Sequence, residues 1–178
     1  MPPGALFSVF NGPAPTTAAP VAVTTGNAVK TLLQIATPAT LGLTIIGWWC
    51  SFDASALATP IKVELCHTDV AATVTTYAAA DISLIRGAAL TSPSNKTSQI
   101  TLGTSASGYT SSAEGTITSL QYLDGPQFIE QIGAGVYVQF PRDDEPVLPP
   151  SRFLRIRVTA GSAVNALCGV RWREPLNQ

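Results

Sequence analysis

Ile61-Lys62-Val63-Glu64-Leu65 alternates apolar and charged positions, and Val136-Tyr137-Val138-Gln139-Phe140 repeats that alternation. Leu154, Ile156 and Val158 take one parity of the next run, with Phe153, Arg155 and Arg157 on the other. Ala166, Cys168, Val170 and Trp172 do the same near the end of the chain, opposed by Arg171 and Arg173. A period of two puts one face of a strand on a core and turns the other away. Further strand-like runs, rich in Val, Ile, Thr and Trp, cover 29–37, 41–53, 99–103 and 116–123.

These runs predict about eight strands, and no stretch sustains a helical period. A short helix or turn is expected at 78–85. The Thr-, Ser-, Ala- and Gly-rich segments 69–98 and 104–115 read as surface loops. The expected fold is all-β: an antiparallel two-sheet sandwich, jelly-roll-like, over residues 28–178. Residues 1–27 read as an extended arm, because Pro2, Pro3, Pro13, Pro15 and Pro20 stand among Ala, Thr and Gly and proline donates no ladder hydrogen bond. Within the arm, Leu6, Phe7, Val9 and Phe10 give it apolar anchors, which points to a strap lying on a neighbour. On that reading, removing residues 1–20 leaves the domain folded and weakens only its attachment.

Trp48 and Trp49 are adjacent, so they face opposite sides of their strand, and Ile45 and Ile46 repeat the conflict. One face can use the sandwich core. The other calls for a second partner, and another copy of the chain is the simplest.

Composition strengthens this expectation. Only 12% of the 178 residues are charged, against about 25% in an average soluble domain. Mean hydropathy is +0.26, yet the most apolar run, 41–50, spans 10 residues, well short of the ~20 a spanning helix needs. The net charge of −1 gives no bulk attraction to nucleic acid or to an anionic membrane. No basic residue precedes Lys30, so a secretory signal is not expected, and cytoplasmic synthesis is. Cys50, Cys66 and Cys168, odd in number and widely spaced, read as buried free thiols.

Candidate chemistry is sparse. His67 is the only histidine, and Asp69 two positions on shares its parity, so the two could pair. No nucleophile motif accompanies them. Asp143-Asp144-Glu145 lies between Pro141 and Pro146 without calcium-loop spacing, and reads as a solvated loop or as a partner for arginines. Asn95-Lys96-Thr97 matches the glycosylation pattern by chance. No catalytic, cofactor-binding or metal residue is assigned, and the chain is expected to be non-enzymatic. If the last two strands pair, Arg155, Arg157, Arg171 and Arg173 make one basic stripe suited to an acidic partner surface.

The Pro/Ala/Thr arm, the low-charge strand series and the closing runs Phe153-Leu154-Arg155-Ile156-Arg157-Val158 and Cys168-Gly169-Val170-Arg171-Trp172-Arg173 resemble those of bacteriophage capsid decoration (cement) proteins. The closing runs also look like those of trimeric jelly rolls of the tumour-necrosis-factor type. The resemblance implies a structural virion protein, a homo-oligomer with a trimer favoured, seated on the major capsid protein at the capsid surface and stabilising the head shell. The interface candidates are Leu6, Phe7, Phe10, Trp48, Trp49, Arg155, Arg157, Arg171 and Arg173. The alternative is a receptor- or glycan-binding knob of a phage fibre or tail, with Tyr77, Tyr109 and Tyr122 as candidate contacts.

Overall fold

The computed structural model describes residues 4–14, 23–25, 28–53, 60–86, 97–129 and 135–175. Its strands in chain order are β1 (Ala5–Phe10), β2 (Val23–Thr24), β3 (Lys30–Ala36), β4 (Leu43–Phe52), β5 (Ile61–Thr68), β6 (Thr73–Thr76), β7 (Ser83–Arg86), β8 (Gly108–Ala113), β9 (Leu120–Ile129), β10 (Gly135–Gln139), β11 (Val147–Leu148), β12 (Phe153–Thr159) and β13 (Asn165–Glu174). One 3₁₀ turn, Ala79–Asp81, falls in the expected helix-or-turn segment.

Two antiparallel sheets pack as a sandwich. One, here sheet A, runs β10-β4-β13-β1-β7, with β11 beside β4 and β2 beside β13; the other, sheet B, runs β6-β8-β3-β12-β5-β9. Take the principal strands as β1, β3, β4, β5, β9, β10, β12 and β13. The first then pairs with the last, the second with the seventh, the third with the sixth and the fourth with the fifth. This nesting fits a jelly roll.

The alternating runs supply the core. Leu154, Ile156 and Val158 of β12 and Ala166, Cys168, Val170 and Trp172 of β13 all lie in one buried cluster. In β4, Leu43 and Ile45 join the core, then Trp48, Cys50 and Phe52. The parity changes because the ladder between β4 and β13 slips at Ile46, one residue beyond even alternation. Ile46 stays outside the cluster and is nonetheless buried.

Three expectations are corrected. The apolar group at 5–10 does not lie in a detached arm: Ala5, Phe7 and Val9 point into the core, and Phe7 stacks on Trp172 with ring centroids 5.8 Å apart. Strand β1 sits inside sheet A between β13 and β7, so removing it would expose the core and not merely loosen an attachment. Within 104–115, β8 forms from Gly-Tyr-Thr-Ser-Ser-Ala without apolar alternation, because β6 and β8 form one margin of sheet B and bury little beyond Val74 and Tyr109. The run 99–103 contributes only isolated bridges at Thr101 and Leu102.

Candidate functional site

The two outer faces of the sandwich differ. On sheet B the outward positions of β12 and β5 carry charge that is paired within the chain, and the segments at Val70 and Glu114 cover Arg155. Arg155 is fully buried. Its guanidinium donates to the Val70 carbonyl and, at 3.1 Å, to the Glu114 carbonyl, and it pairs with the Glu114 carboxylate at 3.2 Å. Glu114 also accepts from the Thr31 amide and hydroxyl, both at 2.6 Å, and from the Ser111 hydroxyl at 2.5 Å. Burial pulls the Arg155 guanidinium below its ordinary value, and Glu114 acts in the opposite sense. Arg157 pairs with Glu64, which Lys62 meets at 2.9 Å. Among the described residues no hydrogen bond of good geometry reaches the Glu64 oxygens, and opposite charge holds this group together.

The single basic stripe expected of the arginines therefore does not exist. Strands β12 and β13 lie in different sheets. Arg155 and Arg157 do point away from the core, but they are neutralised within the protomer. Arg155→Ala takes from the Glu114 carboxylate its cationic partner and from the Val70 and Glu114 carbonyls a buried donor. Removing one member of a buried ion pair costs about 3–5 kcal/mol; because Glu114 keeps some water contact, about 3 kcal/mol of lost unfolding free energy is expected here, measured by chemical denaturation.

Sheet A presents the other face, and its register lays that face out in rows. One row reads Tyr137, Trp49, Gly169 and Phe10 across β10, β4, β13 and β1. The next reads Gln139, Gly47, Arg171 and Ser8. Beyond these lie Gly135, Ser51 and Leu167 on one side, and Val147, Thr44, Arg173 and Leu6 on the other. Tyr137 is 64% exposed and Val147 62%. Trp49 lies flat across its neighbour: a Cβ on Gly169 would come within 2.1 Å of the indole, so only glycine admits this pose. The Arg171 guanidinium sits 5.6 Å from the indole centroid as a cation–π cover. Beside them is a hollow of about 420 Å³, lined by Trp49, Ser51, Tyr137 and Arg171 among others.

The nine interface candidates therefore divide. Leu6, Phe10, Trp49, Arg171 and Arg173 meet on the outer face of sheet A. Phe7 and Trp48 belong to the core; the Trp48 indole nitrogen donates to Asp124 at 2.8 Å. Arg155 and Arg157 lie buried and ion-paired on the outer side of sheet B. Arg173 pairs with Glu145 at 3.4 Å, so the acidic loop serves an arginine of its own chain. Tyr137, the most exposed member of the aromatic row, was missed from the sequence; its alternation with Val136 and Val138 was the available signal.

The other candidate groups fall elsewhere. Tyr77 is buried, its hydroxyl donating to the Phe10 carbonyl at 2.7 Å, and Tyr109 packs on it at 5.3 Å. Tyr122 and Phe128 are exposed on β9, the far edge of sheet B. His67 and Asp69 do not pair. His67 meets Gln121 at 3.1 Å, while Asp69 accepts from Thr118 and Ser119, which hold its carboxyl down at about 2. Asn95 and Lys96 lie outside the described residues. Among the described residues no group of three His, Cys, Asp or Glu side chains could hold a metal ion.

Burial lowers the His67 value below 6.5, partly offset by its bond to Gln121. The folded state thus prefers the neutral ring. Its contribution to stability is complete above about 6.5, and declines as pH falls from there toward the lower folded value. Unfolding free energy should drop over that window, and His67→Asn should flatten the drop, as read from denaturation at stepped pH.

No family model, no curated protein and no solved structure matches this chain.

Proposed function

We propose that this protein is a non-enzymatic building block that works by association, through the outer face of sheet A. A second copy of the chain is the proposed occupant. The observation that carries this reading is the row Tyr137–Trp49–Gly169–Phe10 across the outer face of sheet A, where Tyr137 and nearby Val147 are exposed, while the arginines of sheet B are paired within the chain. Aromatic and arginine side chains in such a setting dominate association energies. Four strands about 4.8 Å apart and four rows about 6.8 Å apart make a plane of about 500 Å², well over half of the ~800 Å² per partner of a stable interface. A net charge of −1 opposes self-association only slightly.

The fuller form of the reading is a trimeric capsid decoration protein, seated on the major capsid protein at the virion surface. The low charge, the jelly-roll-like sandwich and the sequence resemblance support it. An antibody against the chain should label intact heads of the phage whose genome encodes it. Label confined to tail fibres would contradict this placement and favour the receptor- or glycan-binding reading. The hollow beside Tyr137, which offers aromatic, hydroxyl and guanidinium groups together, gives that second reading its own support. A glycan array separates the two: decoration predicts no bound sugar.

A further inference from the structure

Cys50 and Cys168 are direct partners across the β4–β13 ladder, and both side chains are fully buried in the core. The backbone shows which kind of partners they are. Asn11 takes both polar groups of Cys168: its amide donates to the Cys168 carbonyl at 2.9 Å, and its side-chain oxygen accepts from the Cys168 amide at 2.8 Å. Cys168 therefore turns its backbone toward β1 and away from β4. The Cys50 carbonyl likewise lies toward Gly135 of β10, on the far side of β4 from β13.

The two cysteines thus form a non-hydrogen-bonded pair, the closer of the two antiparallel pairings, with Cα atoms about 4.5 Å apart. That separation lies within the ~4.4–6.8 Å over which a disulfide closes. The third thiol is placed differently: Cys66 lies on sheet B, beside Arg155 and Tyr122 on the side away from the core. Asn11, whose side-chain amide also donates to the Ala166 carbonyl at 2.9 Å, fixes β13 at this point.

We propose that Cys50 and Cys168 are an oxidation site, closed by a small disulfide oxidant of the glutathione type into a clamp between β4 and β13. The thiolate of one cysteine attacks the oxidant, and one glutathione thiol leaves. The second cysteine then displaces the other glutathione from the mixed disulfide. One protein S–S bond forms, the glutathione S–S bond breaks, and the two thiol protons and two electrons end on the two glutathione thiols. Burial keeps the Cys168 thiol protonated in the closed sandwich, so exchange takes place while the sheet is open, during folding or transient opening. The clamp joins the two strands that carry Trp49 and Gly169. It would stay reduced in a cytoplasm and close in an oxidising medium. The inference is independent of what, if anything, docks on the outer face.

The full chain, refolded from denaturant in a buffer of oxidised and reduced glutathione, tests it. The expected product is a species two hydrogens lighter, with a peptide linked through Cys50 and Cys168 and with Cys66 as its one remaining thiol under denaturing conditions. Its midpoint of thermal unfolding should exceed that of the reduced chain by about 5–15 °C. Cys66→Ser should behave identically, and Cys168→Ser should form no intramolecular disulfide. Three free thiols after refolding, a linkage through Cys66, or an oxidised chain that melts no higher than the reduced one would each overturn the proposal.

Discussion

Removal of residues 1–10 is expected to leave a chain that does not fold. Strand β1 is an inner member of sheet A, hydrogen-bonded to β13 along its whole length and to β7 on its other side. Its loss uncovers Ala5, Phe7 and Val9 contacts and strips the ladder from one edge of β13. It also deprives Trp172 of its stacked ring. Phe7→Ala alone should cost about 3–5 kcal/mol, the usual range for truncating a buried phenylalanine, out of a total of about 5–15 kcal/mol. Circular dichroism and hydrogen exchange on the truncated chain check the first expectation, and chemical denaturation checks the second. A truncated chain with protected amides in β13 would show that the segment is only an accessory.

Substitution of the two adjacent tryptophans should separate stability from association. Trp48→Ala opens a core cavity and removes the donor to Asp124, so a loss of about 3–5 kcal/mol of unfolding free energy is expected. Trp49→Ala removes an outer-face ring already lying flat on Gly169 under Arg171. It should cost the isolated protomer about 1 kcal/mol, while weakening self-association about 30-fold or more, the effect of an interface anchor worth at least ~2 kcal/mol. Paired denaturation and dilution experiments on both variants give the comparison. Equal stability losses with unchanged association would remove Trp49 from the interface.

The contrast between these residues shows what the sequence could reveal. Adjacent tryptophans on a strand must face opposite ways, so one buried and one outer ring was readable from order alone. Which one faces the core depends on the slip at Ile46, a ladder feature that the linear pattern does not mark. Arg155 and Arg157 were correctly read as pointing away from the core. Their burial was hidden because Val70, Glu114 and Glu64 reach them through loop placement and strand pairing. Ala5, Phe7 and Val9 already alternate with Leu6, Ser8 and Phe10. Giving weight to the surrounding prolines concealed that strand, although a proline bars a ladder bond only at its own position. Strand β8 carried no signal of its own, since it pairs at a margin where packing asks little of its side chains.

Sedimentation equilibrium of the full chain at micromolar concentration measures whether the outer face of sheet A holds copies together. A discrete oligomer is expected, with three copies favoured, that Trp49→Ala together with Tyr137→Ser converts to folded monomer. A wild-type chain that remains a single protomer under these conditions, or an oligomer indifferent to both changes, would contradict association through the outer face of sheet A.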